Sequence, residues 1–244
     1  MNNTLKTIGV IPARMKSSRF YGKPLKKINN VEMIKLVYDN AAAANLEEVY
    51  VATDHTTIHE FCIKNNIPCV MTSNTHKNCS ERTNEVANKF NADYILEIQG
   101  DEPTLKTSEI NIFLDKVNNC SNYDFISLCT KLSIDNVSNP NIVKVVINNN
   151  SEAIYFSRSI IPYNFKSIDV EYFNTIGLFY WNAKSLKNFS RLPISKLELI
   201  EDTHMLRMIE NKFTIKMIYT EINTIDVNVP EDILKVEEYF NVDP

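Results

Sequence analysis

Glycine is scarce in this chain: only four of its 244 residues are glycine. Neither glycine-rich nucleotide loop, G-x-x-x-x-G-K-[ST] or G-x-G-x-x-G, occurs in the sequence. Those loops hold phosphate largely through backbone N–H groups. Any phosphate bound by this protein must therefore be held mainly by cationic side chains, with arginine giving bidentate contacts and lysine a compact point charge.

An excess of basic residues is also missing, because the net charge is −4 and the pI is about 5.7. This balance argues against nucleic acid as the main partner. No apolar run approaches the roughly 20 residues that span a bilayer, and the amino terminus shows no signal-peptide pattern. The five cysteines include no C-x-x-C, which argues against a disulfide framework or a zinc site. We expect a cytoplasmic protein with no membrane partner.

Four cations stand close together near the amino terminus, directly after a predicted strand at residues 7–12. They are Arg14, Lys16, Arg19 and Lys23. In open α/β sheets, ligands bind beyond the carboxyl ends of the strands, so the position of these cations agrees with their charge. The segment is predicted to clamp phosphate. The other interpretation is a solvated basic loop.

Two residues set the shape of this cationic loop. Gly22 permits positive φ, and Pro24 fixes φ near about −65°. Lys23 lies between them. We therefore expect stiff backbone to hold the Lys23 side chain in one direction.

A second charged feature follows the apolar segment YILEI, where the chain reads Gln99-Gly100-Asp101-Glu102-Pro103. A strand that ends in Gly-Asp places a carboxylate at the carboxyl edge of the sheet. Asp101 is therefore a candidate Mg²⁺ ligand, because this ion takes only one or two protein carboxylates and completes its shell with waters and substrate phosphates. The alternative is that these residues only form a turn before a helix.

Strand-like and helix-like segments alternate through the first half of the chain. Predicted strands cover residues 7–12, 47–53, 67–72 and 94–100, and predicted helices cover residues 31–44, 55–65 and 80–90. Such alternation is typical of right-handed βαβ units. The fold class is therefore predicted to be α/β, with a doubly wound, mostly parallel, mixed sheet.

The second half of the chain is richer in strand signals. They cover residues 124–132, 141–148, 153–158 and 175–181, and they predict an antiparallel or mixed extension of the sheet. Residues 194–212 then predict one helix, with Leu197, Ile200, Leu206 and Ile209 on its apolar face. No internal repeat or low-complexity linker interrupts the chain.

Six segments together resemble the CMP-Kdo synthetases, the 3-deoxy-manno-octulosonate cytidylyltransferases, in order and spacing. They read IPARMKSSRFYGKPL, VATDHTTI, SERTNEVA, IQGDEP, NIVKVVINNNSEAIYFSRSIIP and NVPEDILKVEEY. The resemblance implies that CTP and the anomeric hydroxyl of a 3-deoxy-2-keto sugar acid, with Kdo as the leading candidate, give a CMP-sugar and pyrophosphate with Mg²⁺, for surface polysaccharide synthesis. It also implies one domain over residues 1–244 that forms a homodimer. Residues 1–120 would bind the nucleotide, and residues 121–244 would bind the acceptor and supply the interface.

The resemblance also implies roles for individual residues. Nucleotide contacts fall on Pro12, Ala13, Arg14, Arg19, Lys23, Arg82 and Gln99, with Arg19, Lys23 and Asp101 taking part in catalysis. Acceptor contacts fall on Gln99, Arg158, Thr175 and His204, and the metal falls on Asp101, Asn228 and Asp226.

Several of these residues have simpler interpretations. Arg82 can be a surface charge paired with Glu85 one helical turn away. Arg158 can cover apolar surface with its stem at an edge strand, and Gln99 can simply end a strand. The histidines at positions 55, 59 and 76 are interpreted as surface or loop residues.

The chain departs from the family pattern at four places. Asn228 stands where the family has a metal-binding aspartate, and Asp226 lies two residues earlier on the same face of any strand there. Thr175 replaces a histidine, His204-Met205 replaces Glu-Gln, and Cys79 replaces a glycine. Sites that read hydroxyls by hydrogen bonding discriminate strongly, so these changes predict a change in the accepted sugar.

Two hypotheses from different classes follow. The first is a working cytidylyltransferase for Kdo or another keto sugar acid. The second is a catalytically weak nucleotide-binding paralogue that is retained as a binding or assembly partner. The cations together with Gln99 and Asp101 favour the first hypothesis, and Asn228 favours the second.

Overall fold

The computed structural model describes residues 5–16, 20–118, 120 and 122–242 of the chain. Its strands are β1 (Thr7–Ala13), β2 (Lys27–Ile28), β3 (Val31–Glu32), β4 (Glu48–Thr53), β5 (Cys69–Met71), β6 (Tyr94–Ile98), β7 (Phe125–Lys131), β8 (Lys144–Ile147), β9 (Ala153–Ser157), β10 (Phe173–Asn182) and β11 (Ile215–Tyr219). Its α-helices are α1 (Met33–Ala42), α2 (Thr56–Lys64), α3 (Cys79–Phe90), α4 (Thr107–Val117), α5 (Ala183–Phe189), α6 (Lys196–Glu201), α7 (Met205–Glu210) and α8 (Asp232–Val242).

Nine strands form one mixed sheet in the order β11-β7-β10-β6-β1-β4-β5, with β8 paired to β10 and β9 paired to β8. Strand β1 is parallel to β4 and β6, β4 is parallel to β5, and β7 is parallel to β11. Strand β10 runs antiparallel to β6 and β7. The predicted α/β class with a mixed sheet is confirmed.

Helices cover both faces of this sheet, because its central strands are apolar on both sides. On one face α1, α2 and α4 pack their buried side chains, such as Ile34, Ile58 and Phe113, in one core cluster. On the other face α3 and α5 contribute Val86 and Phe189 to a second cluster. The sheet is therefore wound on two sides, as the sequence predicted.

The carboxyl ends of β1 and β6 meet at one edge of the sheet, because the two strands are parallel neighbours. Strand β10 enters the sheet at the same edge, and its pairing with β7 shifts between Thr175 and Phe179. Gly177 lies in this irregular stretch. A Cβ atom at Gly177 would lie 2.7 Å from Glu102 Oε1, so only glycine allows this close approach of β10 to the chain after β6.

The predicted extension corresponds to β7, β8, β9 and β10, in which β7 and β10 are antiparallel and the hairpin of β8 and β9 continues the sheet beyond β10. Lys144 of β8 is fully buried and donates to the backbone carbonyl oxygens of Asn139, Ile142 and Arg158. These bonds satisfy a buried ammonium group, and they tie the hairpin to the loop before it.

The prediction of one helix over residues 194–212 is wrong. Helix α6 ends at Glu201, Asp202 adopts a left-handed conformation with φ of 48°, and α7 begins at Met205. Ile200 is exposed and does not share an apolar face with Leu206. The corner is stabilised by a residue distant in sequence, since Arg158 donates hydrogen bonds to the carbonyl groups of Glu201 and Asp202.

Two further observations bear on the sequence predictions. Each of the five cysteines is a free thiol. Within the described ranges, no helix is both long enough and apolar enough to cross a bilayer.

Candidate active site

A polar cavity of about 330 Å³ opens where β1 and β6 end. Its wall includes Pro12, Ala13 and Arg14 after β1, and Gln99, Gly100 and Asp101 after β6. We call it the first cavity. Most of the nucleotide-side candidates predicted from the sequence therefore lie in one wall, whereas Thr175, Asp226 and Asn228 do not line this cavity.

The cationic loop turns back on itself to reach the first cavity. Gly22 has φ of 69°, in the left-handed region, and its N–H donates to the Met15 carbonyl at 2.9 Å. A single 3-10 turn, Lys23–Leu25, follows directly and contains Pro24. Arg14 and Lys23 both line the cavity. Lys16 is exposed, and Arg19 lies outside the described residues.

Lys23 bridges two segments that are far apart in sequence. Its Nζ atom lies 2.6 Å from Asp101 Oδ2 and donates to the Val227 carbonyl oxygen at 2.8 Å. The Val227 N–H in turn donates to the Asp101 carbonyl at 2.9 Å. The closing segment of the family resemblance is thereby fixed beside the Gly-Asp turn.

The chain around Asp101 carries an excess of carboxyl groups. Burial raises the pKa of Asp226, and the charge of Asp101 raises it further. Burial, with Asp226 and Asp101 next in importance, raises the pKa of Glu102 to about 8. Glu102 Oε1 accepts the Gly177 N–H at 2.9 Å, but Oε2 is buried without a partner. A nearby positive charge would stabilise the ionised forms of these neighbouring carboxyl groups.

The donor set fits a hard divalent cation. Asp101 and Asp226 supply carboxylate oxygens, and the two groups lie close enough for the charge of Asp101 to raise the pKa of Asp226 beyond the effect of burial. Within the described residues, no group of three or more His, Cys, Asp or Glu side chains is arranged to hold a metal. A site with two protein carboxylates suits Mg²⁺, which leaves most of its shell to water and phosphate.

Asn228 lies at the edge of this carboxyl cluster. Its Nδ2 donates to Asp226 Oδ2, and its backbone N–H donates to Asp232 Oδ2 at 2.9 Å. The side chain is therefore oriented by the Asp226 carboxyl group. The two side chains are in contact, but residues 221–228 form no strand, so the prediction of a shared strand face does not apply.

Arg82 lies inside the protein and not on a helix surface. It is 4% exposed, its Nη2 is 3.1 Å from Asp54 Oδ2, and its Nη1 donates to Thr72 Oγ1. Glu85 pairs instead with His76, with 2.6 Å between Oε2 and Nε2. The interpretation of Arg82 as a surface partner of Glu85 is therefore wrong, and Arg82 lines the first cavity.

His76 is a cavity residue that the sequence analysis assigned only to a loop. It lies in the loop before α3, as expected, but it also lines the first cavity. Its partner Glu85 is nine residues away, and the spacing of the two residues carried no recognisable motif. Proximity to the SERTNEVA segment was the only available signal.

Gln99 has a buried partner that the sequence did not suggest. Its Nε2 donates to Glu97 Oε1 at 2.7 Å, and Glu97 is 0% exposed. Burial raises the pKa of Glu97, while neighbouring side chains, including Cys79 and Ser80, lower it. No hydrogen bond of good geometry reaches Glu97 Oε2, so these neighbours are in contact without fully satisfying it.

A second, larger cavity of about 690 Å³ adjoins the first and shares Gln99, Asp101, Arg158 and His204 with it. Residues from the sheet extension complete it, among them Lys131, Asn174 and Thr175. Every described acceptor-side candidate from the sequence therefore lines this second cavity.

Arg158 holds backbone at the mouth of both cavities. Its Nε donates to the Glu201 carbonyl at 2.7 Å, Nη2 to the Asp202 carbonyl at 3.0 Å, and Nη1 to the Pro140 carbonyl at 2.8 Å. Its backbone N–H donates to Glu201 Oε2 at 2.8 Å. Arg158 thus joins the loop before β8 to the corner between α6 and α7. Its side chain therefore does more than cover the apolar surface of an edge strand.

His204 lines both cavities and lies between two aromatic rings. Its Nε2 is 3.2 Å from Ser80 Oγ, and its ring meets Phe179 and Phe189 edge-on, each with 5.9 Å between centroids. Burial lowers the pKa of His204 to about 4, so the imidazole is neutral at pH 7.

A doubly wound sheet with a cation-lined cavity at the carboxyl ends of its strands defines an α/β protein built to bind a phosphorylated nucleotide. Comparison with known proteins makes the class specific. Residues 8–220 match the family model described as Cytidylyltransferase, and the chain belongs to this family of nucleotidyltransferases.

Individual relatives agree along almost the whole chain. The chain is 38% identical to a 3-deoxy-manno-octulosonate cytidylyltransferase of Fusobacterium nucleatum subsp. nucleatum, with 97% of each chain covered. It is 36% identical to one of Thermodesulfovibrio yellowstonii, covering 96% of this chain and 98% of that protein. The solved structure of a CMP:2-keto-3-deoxy-manno-octonic acid synthetase complexed with CTP matches with a TM-score of 0.91 and 32% identity, covering 98% of this chain and 100% of that one.

Proposed function

We propose that the protein transfers CMP from CTP to the anomeric hydroxyl of a 3-deoxy-2-keto sugar acid, with Kdo as the leading acceptor, and releases pyrophosphate. One observation carries this proposal: two polar cavities meet at Gln99 and Asp101, one with cations after β1 and the other walled by the sheet extension. The names of the similar proteins supply the identity of the nucleotide and the acid.

The cations act on the leaving group. Arg14 and Lys23 contact the triphosphate beside Pro12 and Ala13, and they neutralise the charge that grows on the β- and γ-phosphates as pyrophosphate departs. Arg19 belongs to the same loop and shares this role. Such preorganised electrostatic contacts are the main contribution that a protein makes to phosphoryl and nucleotidyl transfer.

Asp101 and Asp226 hold the metal ion, with Asn228 as a neutral neighbour. When it is bound, Mg²⁺ supplies charge neutralisation at the phosphates. Lys23 then exchanges its contact with Asp101 for contacts with the triphosphate. Arg82, held rigid by Asp54, adds a fixed positive charge on the nucleotide side of the first cavity.

The second cavity holds the sugar acid. Arg158 directs positive charge toward the acceptor carboxylate while it fixes the loops that form the rim. Gln99, Thr175 and the neutral His204 offer hydrogen bonds to hydroxyl groups. A keto sugar acid other than Kdo remains the alternative acceptor, because Thr175 and His204 differ from the family pattern.

The neutral Asn228 keeps a second candidate function open, a catalytically weak nucleotide-binding paralogue. In that case the protein binds CTP but turns it over slowly, since one negative charge that would attract the cation is missing. Asp226, held by Asn228, supplies the compensating carboxylate for the active form.

The chain acts as one domain, with residues 1–120 serving the nucleotide and residues 121–244 the acceptor and a homodimer interface. The loop after β9 supports the interface, because Tyr163 is 81% and Phe165 is 84% exposed there. Exposed apolar side chains that lie close together indicate a protein contact. The cytoplasm, where CTP is available, is the site of the reaction.

A direct assay tests this proposal. The protein is incubated with Mg²⁺ and CTP, ATP or GTP, together with a panel of keto sugar acids, and pyrophosphate release is followed. Release that requires both CTP and one of the acids supports a cytidylyltransferase. Tight CTP binding by calorimetry without pyrophosphate release would support the weak paralogue, and equal binding of all three triphosphates would contradict both.

A further inference from the structure

Glu97 is a buried acid for which the proposed chemistry has no use. It lies on β6, two residues before Gln99, and its side chain is completely covered. An isolated buried carboxyl group is costly, and one of its oxygens has no hydrogen-bond partner of good geometry. Replacement by an apolar residue would remove that cost, so its presence calls for an explanation at the site.

Glu97 accepts a side-chain hydrogen bond from Gln99. The donor is Gln99 Nε2 and the acceptor is Glu97 Oε1, at 2.7 Å. The Gln99 backbone is fixed as well, because its N–H donates to the Gly177 carbonyl at 2.9 Å. With backbone and Nε2 both held, Oε1 is the polar atom of Gln99 left to meet a ligand.

Cys79 reinforces the same orientation. Its thiol lies against both Glu97 and Gln99, in the first turn of α3. The Gln99 side chain lines both cavities. Because the nitrogen end of the amide is held by Glu97, its oxygen end is the part that can face the wall shared by the two cavities.

We propose that Glu97 is a positioning residue that holds the Gln99 amide with its carbonyl oxygen toward the shared wall of the cavities, so that the site selects acceptors presenting a hydrogen-bond donor there. The inference rests on the proposed function for the identity of the acceptor, but the orientation of the amide does not depend on it. A site built around such a bond rejects an acceptor that lacks the donor.

Three variants separate positioning from folding. Glu97→Met removes the acceptor oxygen and also the buried, partly unsatisfied carboxyl group, so stability in urea should stay equal or rise. The kcat/KM for the sugar acid should nevertheless fall by about 10- to 100-fold, as misplaced contact groups cause, while the KM for CTP changes less than about twofold. Glu97→Gln keeps an acceptor oxygen and should recover most of the loss. In a Gln99→Ala background, Glu97→Met should have no further effect.

An NMR measurement without substrate tests the orientation by itself. In ¹⁵N-labelled protein, the side-chain amide signals of Gln99 are identified by their absence in Gln99→Ala. We expect hydrogen exchange of this amide to be at least about tenfold slower in the wild type than in Glu97→Met. Only in the wild type does the Gln99 side-chain N–H donate a hydrogen bond to the Glu97 carboxyl group.

The outcomes are distinguishable. Equal exchange rates in the two proteins would overturn the positioning role, whatever the activity. An undiminished effect of Glu97→Met in the Gln99→Ala background, or an equal loss for CTP, would also overturn it. A wild-type protein that releases no pyrophosphate with any acid would overturn the proposed function instead, and the exchange rates would still decide the role of Glu97.

Discussion

Lys23 and Asp101 form an ion pair with 2.6 Å between Nζ and Oδ2, although 78 residues separate them in sequence. Lys23 is a candidate for phosphate binding and Asp101 a candidate for metal binding, and the structure pairs these two candidates with each other. In the proposed reaction, a cation and a triphosphate would replace this ion pair.

Removal of this ammonium group should stop the reaction without unfolding the protein. In Lys23→Ala we expect turnover to fall by ~10²-fold or more, because a preorganised contact to the leaving pyrophosphate is lost. Lys35→Ala is the matched control, since Lys35 pairs with Asp39 on the surface of α1. Unchanged turnover in folded Lys23→Ala would exclude Lys23 from the site.

Restoration of a carboxylate at residue 228 should strengthen metal binding. Asn228→Asp adds a second negative charge beside Asp226, and Mg²⁺ binds anionic oxygens. We expect the Mg²⁺ midpoint of pyrophosphate release to fall several-fold, on the order expected for one added charge, with turnover equal or higher. Asn45→Asp, at the opposite edge of the sheet before β4, controls for net charge. Identical midpoints would show that residue 228 does not face the metal.

The buried imidazole of His204 should make the protein sensitive to acid. Its pKa is about 4 in the folded state, below its usual 6.5, so the unfolded chain binds the extra proton between these values. Stability should therefore be complete above pH 6.5 and decline as the pH falls toward 4, by at most ~3 kcal/mol from this group.

Urea unfolding of His204→Gln at pH 7 and pH 4.5 checks this expectation. The variant should lose less stability than the wild type between the two pH values, and His59→Gln on α2 controls for the loss of one imidazole. An equal loss in His204→Gln and wild type would mean that His204 is not held neutral.

Arg158 should be sensitive even to a conservative change. Lysine cannot reproduce its fork of donors to the carbonyl groups of Glu201, Asp202 and Pro140. We expect Arg158→Lys to lower the free energy of unfolding by about 1–3 kcal/mol and to raise the KM for the sugar acid more than that for CTP. Arg191→Lys, at an exposed residue after α5, is the control. A variant with unchanged stability and KM would refute the role of Arg158 at the rim.

The fold was largely predictable because its signals are local. Strand and helix segments of the first half follow apolar periodicity, and β1 and β6 carry their chemistry directly after the strand ends. The helix over residues 194–212 failed because Arg158, more than 40 residues away, binds the carbonyl groups at its break. A contact between residues so far apart in sequence leaves no signal in the apolar periodicity of the helix.

The site was predictable only in part, for the same reason. Lys23 and Asp101 were recognisable because each stands in its own short motif. The roles of Glu97, Asp54 and His76 depend on partners in other elements or on burial, as in the pair of Arg82 with Asp54. Burial on both sides of a strand is a property of the assembled sheet, and the sequence around Glu97 did not reveal it.

Analysis of the product formed from CTP, Mg²⁺ and Kdo tests the central claim most directly. Mass spectrometry should show one new compound with the mass of CTP plus Kdo minus pyrophosphate, formed in a one-to-one ratio with pyrophosphate and not formed by Lys23→Ala. Pyrophosphate released without this compound, or with the same yield from ATP, would contradict the account.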